Sequence, residues 1–83
     1  MSKLENKLIE LGYERSYTMR PDIWEKDSNG FIIRIFTSNG IKGFVTQLSS
    51  FKTQKYIDYL QQTFNVMQKD LEILKECGDS EGN

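Results

Sequence analysis

The sequence contains no histidine, a single cysteine, a single proline and no long apolar run, and each shortage removes a class of chemistry. Without imidazole there is no Ser-His or Cys-His catalytic pair, no His-bearing zinc site and no general base of the commonest kind. The lone Cys77 cannot form an internal disulfide, which fits a reducing compartment, and cannot build a multi-cysteine zinc or iron–sulfur centre. It reads as a small buried apolar residue at a helix end. No stretch approaches the roughly 20 apolar residues that span a bilayer, and the opening Met-Ser-Lys-Leu-Glu-Asn-Lys has no signal-peptide core. These absences predict a cytoplasmic chain that is not an enzyme, takes no cofactor or metal and makes no membrane contact.

Two local patterns invite a ligand and fail on context. Gly40-Ile41-Lys42-Gly43 falls in a hairpin and strand, without the helix start that a phosphate-cradling loop needs. Asp22, Glu25 and Asp27 alternate across a strand and lack the spacing of a calcium loop. Both read as turn and surface residues.

What is present is a helix signal of unusual regularity. Ile57, Leu60, Phe64, Met67, Leu71 and Leu74 recur at alternating steps of three and four, the pattern of an amphipathic helix with a narrow apolar seam. This predicts a helix from Thr53 to about Glu76, ending at Gly78, with residues 79–83 as a disordered acidic tail beyond a single domain spanning 1–78. At the other end, Ser2 and Glu5 form a capping-box signature, Leu4, Leu8 and Leu11 follow at helical spacing, and Gly12 stands where a left-handed cap belongs. A short helix from Lys3 to Leu11 follows.

Between the helices the pattern is that of strands. Tyr13, Arg15, Tyr17 and Met19 alternate with polar residues before Pro21, which marks an edge or a break. Asp22 to Asp27, Phe31 to Thr37 and Ile41 to Gln47 are separated by Ser28-Asn29-Gly30 and Ser38-Asn39-Gly40, and Asn-Gly is the strongest short hairpin signal. The fold class is therefore α+β: an antiparallel three- to four-stranded meander between a short N-terminal and a long C-terminal helix, in α-β-β-β-α order. If both loops have two residues, Trp24 faces Ile35 and Ile35 faces Phe44. That register places Trp24, Phe31, Ile33, Ile35 and Phe44 in one core row, and Glu25 opposite Arg34 on the other face.

The outer face then carries Ile23, Glu25, Ile32, Arg34, Phe36, Ile41 and Val45, more apolar area than a solvated sheet face displays, and it either packs under the Tyr13 to Met19 segment or marks a partner site. Ile23, Glu25, Ile32, Arg34, Phe36 and Val45 are the candidate partner-binding residues, with Phe36 beside Arg34 as anchors. A second candidate is acidic. Residues 1–57 hold nine Lys/Arg against six acids, whereas residues 58–83 hold two Lys against six acids, so the C-terminal end is net negative. Asp70, Glu72 and Glu76 on the long helix are the alternative partner-binding set, imitating phosphate charge. A helix of this length overhangs the sheet, and the overhang is covered either by the first helix or by a second copy, giving a homodimer through the long C-terminal helix.

Two resemblances bear on function. The helix, three strands, helix order, with Ser50, Lys52 and Lys55 around the start of the second helix, resembles the double-stranded RNA-binding domain and implies a small RNA-binding domain. The chain lacks that family's Lys-Lys-x-Ala-Lys run, has Tyr56-Ile57-Asp58-Tyr59 in place of small alanines and is slightly acidic, which argues against nucleic acid as the partner. The run from Leu60 to Lys75, the opening Lys7-Leu8-Ile9-Glu10-Leu11-Gly12-Tyr13-Glu14 and the central Ile23-Trp24-Glu25-Lys26 resemble small accessory proteins encoded by bacteriophages and prophages. Some of these are anti-CRISPR inhibitors. The resemblance implies a non-enzymatic protein-binding module that blocks a host defence protein, such as a CRISPR effector nuclease, by steric occlusion. A self-associating structural protein is the third reading.

Overall fold

The computed structural model describes residues 2–16, 22–38, 40–47 and 55–81, with side chains as far as Cys77. The chain is α+β, as the patterning predicts. Helix α1 (Lys3–Glu10) leads into strands β1 (Glu14–Arg15), β2 (Ile23–Ser28), β3 (Phe31–Phe36) and β4 (Lys42–Gln47), and helix α2 (Lys55–Glu81) closes the order. The strands form one antiparallel sheet in sequence order. Both helices lie on the same side of it: α2 packs on β3 and β4, and α1 packs against α2.

The capping box at the start of α1 is closed. Ser2 Oγ accepts from the Glu5 N–H at 3.1 Å, and Glu5 Oε1 accepts from the Ser2 N–H at 3.2 Å. That N–H, joined by the Arg15 guanidinium, holds the Glu5 carboxyl below its ordinary range. At the other end the Tyr13 N–H returns to the Leu8 carbonyl and the Gly12 N–H to that of Ile9, both bonds of a Schellman motif. Gly12 supplies the left-handed residue this requires, at φ +98°.

The first Asn-Gly turn sets its register as expected. Asn29 and Gly30 both have positive φ, at 52° and 85°, and the pairing Ser28↔Phe31 carries through Trp24↔Ile35 and Glu25↔Arg34. The second turn differs. Ile35 faces Gly43, not Phe44, and Phe36 faces Lys42, so residues 37–41 form the connection. Thr37 is held on the β2 side, where its N–H donates to the Asp22 carbonyl at 3.0 Å and its hydroxyl reaches the same oxygen at 3.2 Å. The resulting one-residue shift turns β4 over: Phe44 stands on the outer face, half exposed, while Val45 and Ile41 pack against the core.

The core joins Leu8, Tyr13, Trp24, Ile33, Ile35, Met67 and Leu74. Gly43 lets α2 close on the sheet, because a Cβ there would lie 2.9 Å from Met67 Sδ and 3.1 Å from Leu71 Cδ1. The buried line of α2 runs through Thr63, Met67, Asp70, Leu74 and Cys77. Of the apolar stripe read from the sequence, Met67 and Leu74 are buried, but Ile57 is 71% exposed and Phe64 39%. The polar members of the buried line are satisfied. Thr63 Oγ1 donates to the Tyr59 carbonyl at 2.8 Å, and Asp70 is engaged by Lys26 and Tyr13.

Helix α2 continues past Gly78, where the sequence places its end, and takes in residues 79–81 of the expected disordered tail; 82 and 83 lie outside the described residues. One glycine costs a helix only about 1 kcal/mol and need not stop it. Of the strand expected over Tyr13 to Met19, only Glu14–Arg15 is described as β1, and 17–20 lie outside. Likewise 53 and 54, the expected first residues of the long helix, lie outside the described residues.

Candidate protein-binding face

Strand alternation and the observed registers decide which side chains share the face opposite the helices. They are Glu14 on β1, Ile23, Glu25 and Asp27 on β2, Ile32, Arg34 and Phe36 on β3, and Lys42, Phe44 and Thr46 on β4. Arg34 sits at the centre and is held from both sides. Its Nε pairs with Glu25 Oε2 at 2.8 Å, and Nη1 donates to Thr46 Oγ1 at 3.2 Å. The pair is less than a third exposed at either side chain, so it orients the guanidinium more than it contributes to stability. It also offsets the repulsion between Glu25 and Glu14, which face each other directly.

Beside Arg34 the rings of Phe36 and Phe44 meet edge to face, with centroids 5.2 Å apart and planes at 78°. This is a favourable aromatic geometry on a diagonal cross-strand pair. Toward β1 the face opens into a cleft of about 290 Å³ lined by Glu14, Arg15, Glu25, Asp27 and Ile32. Arg15 lines it from the helix side of β1, where its guanidinium lies 4.9 Å from the Trp24 ring and pairs with Glu5. The face thus offers an edge-to-face aromatic pair, an oriented guanidinium and an acidic cleft, which together suit recognition of another surface.

Of the six residues the sequence assigns to this face, Glu25, Ile32, Arg34 and Phe36 are together and partly exposed. Ile23 belongs to it by register but is 1% exposed, so it is covered on that face and not open to a partner. Val45 lies on the opposite side of the sheet, opposite Ile33. Phe44 takes the place assigned to Val45. Only the length of the second connection would have revealed it, since the residue type is equally at home in a core.

The acidic set does not form one patch. Asp70 is 6% exposed and points toward the sheet, accepting from Tyr13 Oη at 2.8 Å and from Lys26 Nζ at 2.7 Å. Burial and that carboxylate push the Tyr13 hydroxyl well above its ordinary pKa. Glu72 and Glu76 are exposed. Of the positions that resemble an RNA contact, Lys55 opens α2 and is exposed, whereas Ser50 and Lys52 lie outside the described residues. Among the described residues no three His, Cys, Asp or Glu side chains gather to hold a metal ion, and no helix is long and apolar enough to cross a membrane.

No family model, no curated protein and no solved structure matches this chain.

Proposed function

We propose that this chain is a non-enzymatic protein-binding module that docks its partner on the outer face of the four-stranded sheet. The observation that carries the reading is the one-sided packing. Both helices cover the same face, and among the described elements none packs over Arg34, Phe36 and Phe44 on the other. A partly exposed aromatic pair beside an oriented Arg is the usual composition of an interface anchor. Steric occlusion is the mode of action that such a small face suits. The resemblance to phage-encoded accessory proteins points to a host defence protein, such as a CRISPR effector, as the partner.

The experiment is capture from a bacterial host lysate on the immobilised chain, with bound protein and nucleic acid both identified and the wash repeated at rising salt. The reading expects one stoichiometric protein partner that survives the salt series. Capture of RNA alone, lost steeply as salt rises, would replace it with a phosphate-binding function.

A further inference from the structure

We infer that β4 and the adjoining flank of α2 form a self-association surface, on which a second copy pairs its β4 with this one to make a continuous eight-stranded sheet. The inference is independent of the outer-face reading and concerns the edge of the sheet, which shares only Phe44 with the anchors of that face. No described strand pairs with the outer edge of β4. The direction of its backbone groups follows from two hydrogen bonds elsewhere. The Asp22 carbonyl accepts from Thr37 and so faces β3, while the Ile23 carbonyl accepts from Ser16 and faces β1. Carried across the sheet by strict antiparallel alternation and the observed registers, this turns the N–H and C=O of Lys42, Phe44 and Thr46 toward β3, and those of Gly43 and Val45 outward. The edge carries none of the usual guards: no proline, no inward-pointing charge and a single lysine.

The helix above that edge is also unfinished. Met67 and Leu71 sit over Gly43, which places this flank of α2 on the β4 side, while α1 packs against α2 elsewhere. Steps of seven residues turn a helix by only about 20°, so Phe64 and Ile57 continue the same flank outward from Leu71. Exposure rises in that order, from partly buried Leu71 to 39% at Phe64 and 71% at Ile57. The regular apolar stripe of the sequence is therefore two overlapping seams: one closes on the sheet, and Ile57 and Phe64 belong to a second that no other described element closes.

A second copy fits both features at once. Pairing about a two-fold axis between Phe44 and Phe44 of the second copy sets Gly43 opposite Val45 of that copy and Lys42 opposite Thr46, with no like charges opposed. The outward N–H and C=O groups of Gly43 and Val45 then bond across the axis. Because α2 packs on both β3 and β4, the two-fold brings the two α2 axes to about two strand spacings, roughly 10 Å, which is the packing distance of helices. The helices run antiparallel, with Phe64 near the axis. One strand edge and one helix flank make a small interface, so the dimer is expected to dissociate on dilution.

Sedimentation equilibrium over a concentration series reaching about 1 mM reads the affinity, since interfaces of this size are weak. A monomer–dimer equilibrium is expected for the wild type, weakened at least about 10-fold by Phe64→Glu and by Ile57→Glu, which set carboxylates into the second seam without touching the outer sheet face. Both variants are expected to melt like the wild type at dilutions where it is monomeric. A positive readout fixes the register: in a Cys77→Ala background, Phe44→Cys is expected to cross-link under oxidation and Lys42→Cys is not, because only position 44 meets itself within disulfide reach. A monomeric mass throughout the series, or a dimer indifferent to both helix variants, overturns the inference; cross-linking at 42 without 44 overturns the register.

Discussion

Lys26 on β2 and Asp70 on α2 stand 44 positions apart in sequence and meet at 2.7 Å inside the protein, where the same ammonium also donates to the Leu11 carbonyl at 3.0 Å and lies 4.5 Å from the Tyr13 ring. One ion pair thus ties the sheet, the long helix and the end of α1 together. Asp70→Ala is expected to cost about 3 kcal/mol, because it leaves a largely buried ammonium, 18% exposed, without its counter-charge. A joint Lys26→Met, Asp70→Leu replacement is expected to recover most of that loss. Urea midpoints of the three proteins check both statements.

Tyr13 adds a pH signature to the same cluster. Its hydroxyl titrates well above the ordinary value of 10.0 because burial and the Asp70 carboxylate both oppose its ionisation. The folded-state pKa is raised, so the stability this contributes is fully present below pH 10 and is lost as pH climbs beyond it, where the unfolded chain ionises and the folded chain does not. Tyr13→Phe removes one buried hydrogen bond, at about 1–3 kcal/mol, and leaves Asp70 with one fewer partner. Its deficit against wild type is expected to be constant between pH 7 and about pH 9 and to shrink above pH 10, in denaturation curves measured across that range.

The two faces of the sheet differ in what truncation removes. Ile33 is fully buried, and Ile33→Ala is expected to cost about 2–5 kcal/mol, a large share of the margin of so small a domain. Phe44 is 53% exposed and keeps an edge contact to Phe36, so Phe44→Ala is expected to cost no more than about 1.5 kcal/mol. Thermal melts of the two variants give the comparison. Equal losses would mean that β4 sits in the register with Phe44 inward.

That comparison marks where the sequence stops being legible. Both connections carry Ser-Asn-Gly, and the dipeptide identifies a hairpin each time, but it does not count the residues in the loop. At 29–30 the loop has two residues and the register follows; at 37–41 Thr37 stays bonded to Asp22, and Phe44 and Val45 exchange faces. The face carrying Glu25, Ile32, Arg34 and Phe36 was readable because its strands flank the shorter turn. On α2 the limit is different. Periodicity counts apolar residues, so it selects Ile57 and Phe64, which are exposed, and passes over Thr63 and Asp70, which are buried with their polar atoms satisfied. No spacing rule announces a buried carboxylate whose partner lies on a strand 44 residues earlier. Of the acidic set, Asp70 is for that reason spent on Lys26, and only Glu72 and Glu76 are left exposed.

The central claim is that the outer face of the sheet is the binding face, and its most direct test is calorimetric titration of the captured partner with surface variants of confirmed fold. Arg34→Glu and Phe36→Ala are expected to weaken binding by at least about 1–2 kcal/mol each, while Glu72→Lys with Glu76→Lys leaves it unchanged. Binding that is indifferent to Arg34→Glu and Phe36→Ala but abolished by the two reversals on α2 would contradict the account and move the site to the helix.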